Sequence, residues 1–167
     1  MIKTFNSLLV TMFGLGKINF IPGTLGSLAT TFILFYLFHS VKMSSNIILI
    51  GLIFIFIYSF YAISTHTKSS KNKDPGEIII DEFLGQSIPI YLYEISHGTA
   101  KESDEAIIYY LVFFILFRYF DIMKPFPVSF FDKNFKNSFG VIMDDICAGL
   151  YVVLTLVCFM VVKSYVL

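Results

Sequence analysis

The sequence predicts a multihelical integral membrane protein with three to five apolar helices and a polar cytoplasmic face, and three observations predict it. Of 167 residues, 56% are hydrophobic and only 14% charged, whereas soluble domains carry roughly a quarter charged residues. The apolar residues, with a mean hydropathy of +0.77, fall in long runs without charge. The cations also segregate by position. Net charge is zero, which leaves no basic footprint for a nucleic acid partner.

Taken in order, residues 1–16 carry Lys3 and then a glycine-containing segment in place of the uninterrupted apolar stretch of a signal peptide. Insertion is therefore expected to use the first mature helix. Residues 18–41 and 43–67 are 24 and 25 residues without Asp, Glu, Lys or Arg, and each exceeds the ~20 needed to cross a hydrocarbon core. Both predict spanning helices. Residues 146–162 add 17 uncharged residues and predict a third. Residues 83–93 and 106–117 offer only 11 and 12 residues between charges, which fits short, tilted or re-entrant helices as well as full crossings. Cys147 and Cys158 share the last run, where helical spacing holds them ~16 Å apart, too far to bridge. No repeat or heptad pattern divides the chain, which reads as one domain over residues 1–167.

With five crossings and the N-terminus inside, nine cations (Lys3, Lys17, Lys68, Lys71, Lys73, Arg118, Lys124, Lys133 and Lys136) face the cytoplasm and three (Lys42, Lys101 and Lys163) face out. That asymmetry sets the orientation. It also gathers three glycine- and carboxylate-rich stretches on the cytoplasmic face, and leaves Glu94, Glu102, Asp104 and Glu105 in one acidic outer loop.

The first stretch is FGLGKINFIPGTLGSLA, residues 13–29. Pro22 and Gly23 make a turn, and Thr24 or Ser27 can cap the helix that follows. Free N–H groups at such a start attract phosphate; alternatively, the glycines only shape a re-entry turn and a close helix contact. The second is DPGEIIIDEFLG, residues 74–85. Its Asp81 and Glu82 stand where the apolar pattern resumes, and ionisable groups at membrane depth face a wet cavity, pair, or hold a cation. The third begins FRYFDIMKPFP, residues 117–127, where Arg118, Asp121 and Lys124 follow one another at intervals of three. This is either a salt-bridge ladder or part of a site. It continues through Asp132 to MDDICAG, where Asp144 and Asp145 are read at the head of the last apolar helix. One aspartate suffices for a cap there; the second needs another reason.

The cytoplasmic face thus offers eight carboxylates: Asp74, Glu77, Asp81, Glu82, Asp121, Asp132, Asp144 and Asp145. His39, His66 and His97 stand isolated on separate segments. All-oxygen ligands suit Mg²⁺, and Arg118 and Lys124 can neutralise a substrate phosphate. The constellation points to phosphoryl chemistry at a membrane surface. A small non-enzymatic cation carrier using the same acidic cluster is the alternative, although a carrier needs ionisable groups along a path through the bilayer.

FGLGKINFIPGTLGSLA, DPGEIIIDEFLG, FRYFDIMKPFPVSFFDKN and GVIMDDICAG resemble, in order and spacing, the signature blocks of the phosphatidylglycerophosphatase A family, from residue 13 to about 149. The resemblance implies an all-α fold and Mg²⁺-dependent removal of the terminal phosphate from the phospholipid phosphatidylglycerophosphate at the bacterial inner membrane. It implies catalytic roles for Asp81, Glu82, Asp121 and Asp145, and metal ligation by these four with Asp144. Arg118 and Lys124 are the implied cations, and Pro22, Gly23, Thr24, Gly26 and Ser27 the implied neighbours of the phosphate. Members of the family carry a histidine followed by glycines between positions 134 and 140, where this chain has Lys136, Asn137 and Ser138. The general base is therefore expected to be a carboxylate or a water activated by the metal.

Overall fold

The computed structural model describes residues 2–18, 20–68, 76–97 and 103–166. Asp74, Lys71, Lys73, Lys101 and Glu102 lie outside the described residues, as do the side chains of His97 and Asp104. Among the described residues, seven α-helices run in order: α1 (Ile2–Val10), α2 (Pro22–Phe35), α3 (Ser45–Thr67), α4 (Ile80–His97), α5 (Ser103–Met123), α6 (Val128–Asn134) and α7 (Ser138–Val166). A 3₁₀ turn, Leu15–Lys17, precedes α2, and a π turn, Tyr36–Ser40, follows it. No strand occurs among the described residues.

Among the described residues, three α-helices are long and apolar enough to cross a membrane: Ser45–Thr67, Glu105–Met123 and Ser138–Tyr165. Their outward faces carry Ile50, Phe54, Ile57, Ile108, Ile115, Leu154 and Phe159, all exposed in the isolated chain. Such surface needs lipid, because apolar area left in water costs roughly 25 cal/mol per Å².

Two expectations about the spans change. The run 18–41 is helical only from Pro22, where a 14-residue α-helix passes directly into the π segment Tyr36–Ser40, so a run counted by missing charges includes four residues before the helix starts. The run 106–117 is longer than its charge-free core: α5 extends at both ends, because Glu105 is exposed at one end and Arg118 pairs with Asp121 at the other. A neutralised pair interrupts a span far less than a lone charge does.

The start of α2 also differs from expectation. Ile21 occupies the N-cap position without a side-chain cap bond. The Ser27 hydroxyl instead donates to the Gly23 carbonyl at 2.8 Å, and Thr30 and Thr31 bond back to Gly26 and Ser27 in the same way. These bonds satisfy three hydroxyls inside an apolar helix.

Helix α4 is the centre of the fold and packs against α7, α2, α3 and α5. One flank joins a core of Leu34, Phe38, Ile90, Phe113, Phe117 and Ala148. The other joins a core of Val10, Ile63, Ile80, Phe83, Leu84 and Ile142. The α4–α7 crossing is held close by two glycines. A β-carbon on Gly85 would run into the Asp145 carbonyl, and one on Gly149 would run into the Gly85 carbonyl. Pro89 stands four residues after Gly85 inside α4, where it offers no N–H to that carbonyl. This crossing brings the first turn of α4 opposite the second turn of α7.

Candidate active site

Three carboxylates meet at that crossing. Asp81 and Glu82 come from the first turn of α4 and Asp145 from α7, and each offers an oxygen within 4.8 Å of the others. Asp81 and Asp145 are 7% and 3% exposed. Glu82 Oε2 and Asp145 Oδ1 are buried without a hydrogen-bond partner among the described residues. Buried carboxylate oxygens left unmatched are costly. The cluster could hold a metal ion, and its all-oxygen donor set fits a hard cation.

Asp144 and Asp145 do not cap α7. The helix starts at Ser138, where Asn137 Oδ1 accepts bonds from the N–H groups of Phe139 and Gly140, both at 3.1 Å. The two aspartates therefore sit inside the helix, with the dipole-and-cap role expected of them filled by Asn137. Asp144 Oδ1 accepts from the Asp145 N–H at 3.0 Å, and its Oδ2 accepts from Lys124 Nζ at 3.1 Å.

Arg118 and Lys124 flank the carboxylates on two sides. Arg118 donates from Nη1 to Asp121 Oδ2 at 2.6 Å and to Ser27 Oγ at 3.4 Å. Its Nε is buried without a bonding partner among the described residues. Gly23 lies against both Glu82 Oε1 and the Arg118 guanidinium, and a β-carbon there would collide with the Glu82 carboxylate. The PG turn thus places bare backbone between an acid and a cation.

The Arg118, Asp121, Lys124 ladder is only half formed. Lys124 lies beyond the end of α5 with φ +45°, and it turns to Asp132 at 2.7 Å and Asp144 at 3.1 Å instead of to Asp121. Burial works against its ammonium, but the bonds and charges of those two aspartates outweigh this and hold its pKa above the ordinary lysine value. Burial also works against the Asp132 carboxylate, yet Lys124 holds it below the usual range, helped by Lys136 and Lys133.

Of the sequence-derived residues, Asp81, Glu82 and Asp145 form the core of the cluster. Asp121 is joined to the site through Arg118 and Asp144 through Lys124. Ser27 reaches Arg118, Thr24 lies half-buried in the first turn of α2, and Gly26 packs against Ile79. Gln86 was not anticipated. It is fully buried one turn beyond Glu82, donates to Thr31 Oγ1 at 3.2 Å, and its Oε1 has no partner among the described residues. The available signal was an amide four residues after an acid in an apolar helix.

The outer acidic loop and the isolated histidines require correction. Glu94 is buried inside α4 at 3% exposure. It accepts from the Tyr110 hydroxyl at 2.9 Å and pairs with His39 Nε2 at 3.1 Å. His66 Nε2 lies 2.8 Å from Glu77 Oε1. Glu94 stands twelve residues beyond Glu82, or ~18 Å along the helix, so its cluster is separate from the site.

Comparison with known proteins assigns the chain to a family. The family model described as Phosphatidylglycerophosphatase A matches residues 8–160. The chain is 36% identical over 147 residues to Phosphatidylglycerophosphatase A of Haemophilus influenzae, covering 88% of this chain and 83% of that one. It is 29% identical over 143 residues to the Escherichia coli protein of the same name, with 85% and 76% covered. A Bacteroides thetaiotaomicron protein named Putative phosphatidylinositol-3-phosphatase is 32% identical over 145 residues, with 86% of each chain covered. No solved structure matches the chain. With the match spanning all four sequence blocks, the chain belongs to the phosphatidylglycerophosphatase A family and is a phosphatase, not the cation carrier that its acidic residues also allowed.

Proposed function

We propose that this membrane enzyme hydrolyses the terminal phosphomonoester of phosphatidylglycerophosphate, giving phosphatidylglycerol and phosphate, with Mg²⁺ as cofactor and with its site on the cytoplasmic face of the inner membrane. The observation that carries the reading is the convergence of Asp81, Glu82 and Asp145 beside the Arg118 guanidinium in a chain of this family. Acidic residues outnumber cations there, so a phosphate monoester would be repelled unless a cation were also held. Asp81, Glu82 and Asp145 would hold Mg²⁺, with Asp121 and Asp144 as the further candidate ligands. When bound, Mg²⁺ supplies Lewis-acid polarisation of a phosphoryl oxygen and neutralises charge developing in transfer.

The remaining chemistry falls to the chain's own groups. Arg118 presents a planar fork suited to two phosphate oxygens, and its Nε, which has no partner among the described residues, leaves capacity for one. Gly23 keeps the approach between Arg118 and Glu82 open, and Thr24 and Ser27 supply hydroxyls on the same turn of α2. Lys124 adds positive charge from the Asp144 side. A carboxylate of the cluster accepts the proton of the attacking water while the water oxygen bonds phosphorus and the phosphorus–glycerol oxygen bond breaks. The glycerol oxygen leaves with a proton, which completes the balance of a hydrolysis.

Purified protein in detergent should release phosphate from phosphatidylglycerophosphate with Mg²⁺, lose that activity in EDTA, and regain it on Mg²⁺ addition, with Zn²⁺ a poor substitute. Full activity in chelator overturns the metal assignment. Faster release from phosphatidylinositol 3-phosphate than from phosphatidylglycerophosphate overturns the substrate.

A further inference from the structure

A cavity of about 580 Å³ is walled in part by Ile80 and Phe83, the residues on either side of the two acids of α4, and lies within the ~300–1,000 Å³ range of ligand sites. Its walls are Leu9 of α1, residues 12–15 and Ile18 of the turn, Ala29 and Ile33 of α2, Ile55 of α3, and Ile80 and Phe83 of α4. Among the described residues, no charged side chain lines it. We propose that this cavity receives an acyl chain of the phospholipid whose phosphate is cleaved at the cluster; the inference rests on the phosphatase reading above.

Two helices share both places. On α4, Ile80 and Phe83 face the cavity, while Asp81 and Glu82 on the adjoining face enter the cluster. On α2, Ala29 and Ile33 face the cavity, while Gly23 and Ser27 approach Arg118. Passing from one face of a helix to the other requires a reach of about 10 Å, one helix diameter. A glycerophosphate headgroup supplies such a reach between its terminal phosphate and its ester-linked chains.

The mouth favours lipid over water. Phe13 lines the cavity and is 86% exposed. Ile18, Phe20 and Ile21 follow it on the same connection and are also exposed. A row of bare apolar side chains is stable where acyl chains cover it. The turn is tied to the catalytic segment by the Ile79 N–H, which donates to the Val10 carbonyl at 2.9 Å, and Gly16 rests against the Glu77 carbonyl. The wall of the cavity and the two acids of α4 are therefore one mechanical unit.

Two other cavities are less suited. One of about 640 Å³ is lined by Tyr93, Tyr109, Met160 and Lys163 at the far end of α4 and α7. One of about 320 Å³ is lined by Leu52, Phe56, Tyr91 and Ile146. Neither includes a residue of α2, which carries Gly23 and Ser27.

The test uses the full chain in lipid nanodiscs, in EDTA so that substrate is retained, with phosphatidylglycerophosphate bearing a diazirine at the end of one acyl chain. Peptide mapping after photolysis should find label on residues 12–18, Ala29, Ile33 or Ile55. Label confined to the lipid-facing Phe54 and Ile57, or to either other cavity, overturns the proposal. In a parallel arm, Ala29→Phe fills the cavity and should lower kcat/KM for the long-chain substrate at least about tenfold, leaving hydrolysis of the deacylated headgroup unchanged. An equal loss on both substrates overturns the proposal. If the unaltered enzyme hydrolyses neither, the phosphatase substrate reading fails, and labelling still decides the cleft because it needs no turnover.

Discussion

Gly85 of α4 lies against the backbone carbonyl of Asp145 in α7, with no room for a β-carbon between them. The pair sets the distance at which the α4 acids meet Asp145. Gly85→Ala must push the helices apart or shift them, and overpacking of this kind costs about 1–3 kcal/mol. A displacement near 1 Å at a catalytic centre can cost a hundredfold. We expect Gly85→Ala to lower thermal stability and to reduce turnover by more than tenfold, measured by melting and phosphate release in detergent. Unchanged turnover would mean that the crossing does not set the site.

The same pair explains what could be read from the sequence. Asp81 and Glu82 were legible because they interrupt apolar character at a run's edge. Their meeting with Asp145, on a helix 64 residues further on, depends on Gly85 and Gly149, whose importance lies in contacts between helices and leaves no periodic trace. Helices α3 and α7 were legible from unbroken hydropathy. In the run before α3 the helix begins only at Pro22, a boundary that a count of charges does not register. Asp144 and Asp145 resembled a cap because they immediately precede the long uncharged run that begins at Ile146, whereas the helix starts at Ser138 and Asn137 makes the cap. The Glu94, His39 and Tyr110 cluster was invisible because its members lie on three helices.

Lys124 and Asp132 give a pH-dependent contribution. Asp132 has a lowered pKa in the folded protein, so its contribution is full above the unfolded carboxylate value near ~4 and fades as pH falls through the lower folded value. The pair is partly exposed, so about 0–1 kcal/mol is expected, or up to a few degrees in Tm for a chain of this size. Asp132→Asn should lower Tm at pH 7, and the gap should narrow steadily as pH falls below the unfolded carboxylate value. A gap that stays constant across the acid range would assign the effect to packing.

Orientation can be tested with single cysteines in a chain lacking Cys147 and Cys158. Lys133 is exposed beside the site on α6, and Lys163 lies near the other end of α7. The positive-inside asymmetry predicts that Lys133→Cys reacts with an impermeant maleimide only from the cytoplasmic side and Lys163→Cys only from outside. The reverse pattern would invert the topology and place the site on the outer face.

The roles of the acids are separable because capping is excluded for Asp144 and Asp145 by the start of α7 at Ser138. Asp81→Asn and Asp145→Asn preserve volume and hydrogen-bonding atoms, yet remove the charge a metal needs. Each is expected to lower turnover by two or more powers of ten, equivalent to ~3 kcal/mol or more of transition-state stabilisation, and to raise the Mg²⁺ concentration required. Asp121→Asn acts first through Arg118, to which Asp121 bonds at 2.6 Å. It should raise KM more than it alters Mg²⁺ dependence if Asp121 positions the guanidinium, and should shift the Mg²⁺ titration with the other two if Asp121 is a ligand. Lys124→Ala should weaken substrate binding with Mg²⁺ affinity intact. The measurements are Mg²⁺ titrations and full kinetics on all four variants, with helical circular dichroism as the folding control. Near-normal turnover in all three asparagine variants, with folding intact, would make the cluster structural and place the chemistry elsewhere.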